Sequence, residues 1–282
     1  MIEKLAKFFS AAGVLFTGIY DATYTVLKNK GSKIEREPEK EVIILGNGPS
    51  FNDIDLDAVK KSGMDMVCVN FFPAKNEKFF EMRPQYLCLF DPIFYEKSSA
   101  QERVDELFRI LERVDWKLKI LCFAGREPKI NNSNIEYVKI AYPVLSSEYM
   151  TGFLYCLYDK NRICLGAQNV VIAAGSYFVE KRVKHIYYAG IDMSEFKGLY
   201  VDEDCRIYVD YTHSYGSERL YSNVVKKGEF YKLLGMYQRM FLEFHHLRKY
   251  ADRCGVSFTN LSDESYVDVF PKDTKLFHKD SE

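Results

Sequence analysis

Apolar residues in this chain gather in short blocks, separated by longer stretches in which they recur every three or four positions. The blocks fall at 42–46, 65–70, 86–90, 118–123, 135–140, 185–190 and 256–259. Val42-Ile43-Ile44-Leu45 shows the type: three of its four residues are β-branched and no polar residue alternates with them. Such a run fits a strand buried on both faces. Helical patterns lie between the blocks, over 53–61, 99–113, 166–181 and 226–254, and in the second of these Leu107, Ile110 and Leu111 share one face. The alternation predicts an α/β fold with a mostly parallel sheet and helices on both faces. No internal repeat or low-complexity tract interrupts it.

The first block runs into Gly46-Asn47-Gly48-Pro49-Ser50, a dense turn signal, and then into a helix-compatible stretch that Ser50 or Asn52 could cap. A strand that stops at glycines and opens a helix sets backbone N–H groups where a phosphate could rest. Asn47 adds an amide that donates and accepts. The loop is not the dinucleotide fingerprint, and a plain strand-to-helix turn remains the alternative. In parallel sheets ligands bind at the carboxyl ends of strands. That rule selects Gly46–Ser50, Asn70, Asp91 and Gly190-Ile191-Asp192.

At 282 residues the chain can build a full core, as one elaborated domain or two small ones. Lys and Arg number 39 against 40 Asp and Glu, so no global basic field draws in nucleic acid. Most of the 21 Tyr and 21 Phe are expected in the core, while some exposed Tyr suits sugar recognition. Seven cysteines (Cys68, Cys88, Cys122, Cys156, Cys164, Cys205, Cys254) are scattered without a C-x-x-C pair. That spacing speaks for reduced thiols in the cytoplasm rather than a disulfide framework or a zinc site.

Phe8 to Tyr20 holds only small or apolar side chains, too few to span a bilayer. The reading favoured is an amphipathic helix on the inner face of the membrane, binding through residues 1–28, with packing on the chain's own domain as the alternative. Residues 1–38 thus form an N-terminal helix and linker, 39–272 the folded domain, and 273–282 a polar tail. Self-association into a homo-oligomer is compatible with the chain but is not read from it.

The segment 191–224 departs from the alternation and, rich in Tyr, Asp, Gly and Ser, reads as an irregular lid (about 193–224). Within it His213 stands between Thr212 and Ser214 with Tyr208, Tyr211 and Tyr215 nearby; a loop imidazole is a natural general base, though an arbitrary loop histidine more often has no role. His245-His246 reads as part of a helix face. Asp202-Glu203-Asp204 has the form of a D-x-D metal motif but follows no clear strand, so no metal site is assigned. No nucleophile elbow or Walker lysine is present, which disfavours a hydrolase or a P-loop kinase.

Taken in order, these pieces resemble the bacterial lipooligosaccharide sialyltransferases of glycosyltransferase family 42, across most of 41–270. The resemblance is carried by Gly46-Asn47-Gly48-Pro49-Ser50, Asn70, Arg162-Ile163 with Gly166, Gly190-Ile191-Asp192, Tyr200, His213-Ser214 and Asn260-Leu261-Ser262. It implies a Rossmann-like domain of the GT-A variant and an inverting, metal-independent transfer of sialic acid or another nonulosonic acid from a CMP-activated sugar to a glycan or glycolipid acceptor, as in lipopolysaccharide biosynthesis. His213 would be the base and Tyr200 would steady the departing phosphate. Gly46, Asn47, Gly48, Ser50, Asn70, Gly166 and Asp192 would hold the nucleotide, and Asp91, Arg162, Ser194 and Ser214 the substrates. The pattern departs at Cys164 and Leu165, where hydroxyl residues are expected, at Ser194, where a tyrosine is expected, and in a shorter segment between Tyr200 and His213. A lost hydroxyl contact to a charged group costs about 1.5–3 kcal/mol, so these departures bear on the donor sugar more than on the nucleotide. Two other readings compete. One is a metal-dependent nucleotide pyrophosphokinase, since archaeal pterin pyrophosphokinases look similar in the glycine loop and would use Asp192, Asp202 and Asp204. The other is an inactive nucleotide- or glycan-binding module.

Overall fold

The computed structural model describes residues 34–96, 100–141, 155, 158–160, 165, 169–221 and 225–279. The expected N-terminal helix, with its membrane contact, and the expected site residues Arg162 and Gly166 lie outside them.

The apolar blocks form seven strands: β1 (Glu41–Leu45), β2 (Asp65–Val69), β3 (Tyr86–Cys88), β4 (Leu118–Phe123), β5 (Ile135–Ile140), β6 (His185–Ala189) and, after three strands of a separate sheet, β10 (Ser257–Asn260). They make one sheet in the order β10-β6-β1-β2-β3-β4-β5, with every pair parallel. The chain builds outward from β1 through β5, then returns to set β6 on the other flank of β1. Strand order reverses there, between β1 and β6, which is where open parallel sheets bind ligands.

Burial on both faces explains the unbroken apolar runs. Val42 and Ile44 face a layer made by two helices, α5 (Val170–Glu180) and α6 (Phe230–Cys254). Ile43 and Leu45 face the opposite layer, with α1 (Leu56–Ser62), the short helices α2 (Phe72–Lys75) and α3 (Phe79–Met82), and α4 (Gln101–Leu111). Asp55, not Ser50 or Asn52, caps α1, accepting from the N–H groups of Asp57 and Ala58 at 3.0 and 3.1 Å. Ser50 and Asn52 instead belong to a 3-10 turn, Pro49–Asp53.

The expected irregular lid is largely regular. It contains an antiparallel sheet of β7 (Leu199–Val201), β8 (Ile207–His213) and β9 (Gly216–Tyr221). Strand β8 alternates, with Ile207 and Val209 buried and Ile207 packed with Val225 and Leu233, and its Tyr and Thr residues suit a half-exposed strand. The reading as loop overlooked that alternation because Asp, Gly and Ser dominate the flanks. Asp202-Glu203-Asp204 is the β7–β8 turn, in which Asp202 accepts from the Arg206 N–H at 2.7 Å and Asp204 pairs with the Arg206 guanidinium. His246 is buried, so the His245-His246 pair does include a core position.

At the end of α5, Glu180 is buried with neither carboxyl oxygen hydrogen-bonded among the described residues. Burial, reinforced by nearby Asp159, holds its pKa well above the ordinary value of 4.5. The folded state therefore binds this proton more tightly than the unfolded chain. The group's favourable contribution is complete below the ordinary value and is lost as pH rises. Glu180→Gln is expected to raise the urea midpoint at neutral pH and to flatten the fall in stability above about pH 5; the same pH profile in both proteins would show that Glu180 is solvated.

Candidate active site

Two glycine loops interlock where the sheet reverses. The Gly46 N–H donates to the Ala189 carbonyl and the Gly48 N–H to the Gly190 carbonyl, each at 2.8 Å. The Ser50 N–H donates to Asp192 Oδ2 at 3.0 Å. A Cβ on Gly46 would stand 2.3 Å from the Gly190 oxygen, and one on Gly48 would stand 2.1 Å from Asp192 Oδ2. These glycines are required by the approach of loop to loop. The expectation that the loop's N–H groups cradle a phosphate is corrected accordingly, since Gly46, Gly48 and Ser50 spend theirs inside the protein. Of the loop's N–H groups, that of Asn47 alone has no acceptor among the described residues.

Beside the interlock opens a cavity of about 530 Å³, within the usual range for small-molecule sites. Its lining draws on every layer: Gly46, Asn47 and Gly48 after β1, Asn70 after β2, Phe90 and Asp91 after β3, Gly190 to Glu195 after β6, Tyr211 and His213 from β8, and Tyr237 and Met240 from α6. Asn70 takes a left-handed backbone conformation (φ 51°), which Asn tolerates better than most residues. Its N–H donates to the Cys88 carbonyl at 3.0 Å, while its side-chain Oδ1 is buried without a partner among the described residues. Asp91 accepts from the Ile93 N–H at 3.1 Å, which steadies the turn after β3.

His213 reaches the cavity on the tip of the β8–β9 hairpin. The turn is fastened to the glycine loop: the Ser214 N–H donates to the Asn47 carbonyl at 2.9 Å, and Asn52 Nδ2 donates to the Ser214 carbonyl at 3.0 Å. The imidazole lies between parallel rings, with Tyr211 at 5.9 Å and 4° and Tyr215 at 4.8 Å and 16°. Stacking of this kind fixes the plane of the ring.

Most of the residues selected from sequence gather here: Gly46, Asn47, Gly48, Asn70, Asp91, Asp192, Ser194 and His213 all line the cavity. Ser50 and Ser214 stand behind it as supports. Tyr200 is not brought to the cavity. It pairs directly with Tyr208 across β7 and β8 and stacks on that ring at 5.2 Å. Residues opposite in a ladder share a face, and Tyr208 and Tyr211 lie on opposite faces of β8. Tyr200 therefore points away from the side that carries Tyr211 and His213.

Sequence reasoning missed Asn169, Glu195, Tyr211 and Tyr237. Asn169 caps α5, accepting from the Val171 N–H at 2.9 Å, and a cap signal before an apolar run marks it. Tyr211 follows from the alternation of β8, since it lies two residues before His213. The hydroxyls of Tyr211 and Tyr237 lie near each other, and Tyr237 comes from a helix that only the tertiary fold brings near. Burial pushes the Tyr211 hydroxyl up, with Glu195 adding to the effect. Burial is also the main reason the Glu195 carboxyl is raised from its ordinary value, with Asp192 contributing. Among the described residues no group of three His, Cys, Asp or Glu converges as a set of metal ligands.

No protein-family model matches the chain, and no curated protein is significantly similar to it. Solved structures do resemble it. The Maf glycosyltransferase of Magnetospirillum magneticum AMB-1 superposes over 92% of this chain with a TM-score of 0.52 at 14% identity. This chain spans 38% of the Maf chain. The sialyltransferase CstII of Campylobacter jejuni, in complex with cytidine-5'-monophosphate, gives a TM-score of 0.46 at 15% identity over 87% of this chain and 89% of its own. CstII with a trisaccharide acceptor and CMP gives 0.44 at 15% identity, over 86% and 89%. The neighbours are glycosyltransferases, and the likeness to Maf is one of fold: an α/β domain built on a mostly parallel sheet.

The interlock predicts a sharp contrast between glycines. Gly46→Ala drives a methyl group into backbone and is expected to lower stability by at least about 2 kcal/mol in urea unfolding. Gly235→Ala in α6, where a Cβ would meet nothing within 4 Å, is expected to gain roughly 0.5–1 kcal/mol. Equal responses would show that the two loops can part without cost.

Proposed function

We propose that this chain is a glycosyltransferase of the family-42 type, transferring a sugar from a CMP-activated donor to a glycan hydroxyl with inversion and without a metal. The observation that carries this reading is the pair of hydrogen bonds fastening the Ser214 turn to the glycine loop, which sets the His213 imidazole in the cavity beside Asn47. Base and nucleotide loop then move as one unit.

In this reading the amides of Asn47 and Asn70 hold the nucleotide, and the unengaged Asn47 N–H faces the phosphate. His213 accepts the proton of the acceptor hydroxyl as its oxygen attacks the anomeric carbon. The bond from that carbon to the phosphate oxygen breaks on the opposite side, and CMP leaves with the electron pair. One displacement inverts the anomeric centre. The role expected of Tyr200 is not carried forward, because Tyr200 lies on the far face of β8. The pyrophosphokinase reading loses its metal set for a similar reason, since Asp202 and Asp204 are turn residues that do not line the cavity.

A thermal-shift screen of CMP, CMP-sugars, UDP-sugars and ATP, with and without EDTA, tests the ligand class. Stabilisation by CMP and CMP-sugars that survives EDTA is expected; a response to ATP alone, and only with Mg²⁺, would sink the reading.

His213→Ala is expected to reduce transfer by about 10²–10⁴-fold while CMP binding is kept. Tyr200→Phe is expected to leave turnover within about threefold, because its hydroxyl does not face the cavity. Near-normal transfer by the His213 variant would remove the base assignment, and a severe loss in Tyr200→Phe would show that β7 rearranges around the donor.

A further inference from the structure

Three acceptor oxygens on the cavity wall are buried without a partner among the described residues: Asn70 Oδ1, Asp192 Oδ1 and Glu195 Oε2. Buried polar atoms in native proteins are nearly always paired, so unpartnered oxygens on residues that line a cavity mark where a ligand's own donors belong. Asp192 makes the point most strongly, since it is only 5% exposed and engages the Ser50 N–H through its other oxygen alone. Asn70 and Asp192 belong to the nucleotide end already described. Glu195 does not.

Glu195 opens the 3-10 turn Glu195–Gly198 that follows the β6 loop. Its carboxyl lies near both Tyr211 and Tyr237, with which it lines the cavity. Tyr211 stands two residues before His213 on the same face of β8, and its ring stacks on the imidazole at 5.9 Å. The wall that Glu195 shares with Tyr211 therefore belongs to the end of the cavity that carries the base. We propose that Glu195 is the specificity residue for the transferred sugar, accepting a hydrogen bond from a hydroxyl or amide N–H of that sugar rather than from the nucleotide.

The charge of the wall agrees. Asp192 and Glu195 both line the cavity, and no Lys or Arg is among the described residues that do. A sugar face bearing hydroxyls or an amide is matched by these acceptors, while a carboxylate turned toward them is repelled. Discrimination of this kind rests as much on the rejected group as on the accepted one. A nonulosonic acid would thus present its hydroxyl- and amide-bearing edge to Glu195 and turn its carboxylate elsewhere.

This inference rests on the nucleotide-sugar reading, and one experiment separates the two. The full chain, Glu195→Gln and Glu195→Ala are titrated with CMP and with CMP-N-acetylneuraminic acid, and transfer kinetics are measured alongside. CMP affinity is expected to stay within about threefold in all three proteins. The extra affinity of the CMP-sugar over CMP is expected to fall at least tenfold in Glu195→Ala and less in Glu195→Gln, with KM rising more than kcat falls. If both variants keep the wild-type ratio of the two affinities, or lose CMP and CMP-sugar equally, the assignment is overturned. The Gln variant keeps the side-chain volume, so it supplies the answer if Glu195→Ala does not fold. A wild-type chain that binds neither compound overturns the nucleotide reading, and this inference with it.

Discussion

Gly46 and Gly190 meet backbone to backbone at the reversal of the sheet, and the geometry of the site follows from that contact. Two parallel strands diverge slightly beyond their last ladder bond, and side chains on both loops would hold them apart. Without side chains the loops close on each other through the Gly46 and Gly48 N–H groups. Asp192, two residues beyond Gly190 in the same loop, completes the closure by accepting from Ser50. The carboxylate is thereby committed to structure through one oxygen, while the other is buried without a partner among the described residues.

The same closure decides what the loop offers a ligand. A phosphate-cradling loop keeps several N–H groups free and pointing outward. Here most of them point into the protein, so recognition passes to side chains: the amides of Asn47 and Asn70, the carboxyls of Asp192 and Glu195, and the imidazole of His213. Side chains read more detail than backbone does, because each brings its own chemistry. A cavity lined this way is suited to a ligand with distinct hydroxyls and amides, more than to one recognised by its phosphates alone.

Much of this was legible in the chain. The strands of the main sheet announce themselves because burial on both faces forces unbroken apolar runs, and the positions at their carboxyl ends follow from a rule about parallel sheets. What was not legible has particular causes. Tyr200 stands at the expected spacing from Asp192, yet spacing says nothing about which face of a strand a residue occupies; its pairing with Tyr208 settled that. The residues of 199–221 carry strand propensity that Asp, Gly and Ser in the intervening turns obscure. Tyr237 lies 24 residues beyond His213 on a different element, and only folding brings it to the wall. The two short helices after β2 are a single turn each, below the length at which a period can be read.

The last residues described also have a bearing on the site. The Phe277 carbonyl accepts from the Asp55 N–H at 2.7 Å, the Lys279 N–H donates to the Asp53 carbonyl at 2.9 Å, and the His278 ring meets the Leu261 carbonyl at 2.7 Å. A segment that reads as a polar tail is thus laced to the turn that follows the glycine loop. Residues 277–279 act as a buttress for the most demanding corner, so the loop reaches its final form only after they have been made. During synthesis on the ribosome the strands of the main sheet through β6 precede the binding corner. The cavity takes shape only after every strand of the main sheet has been made.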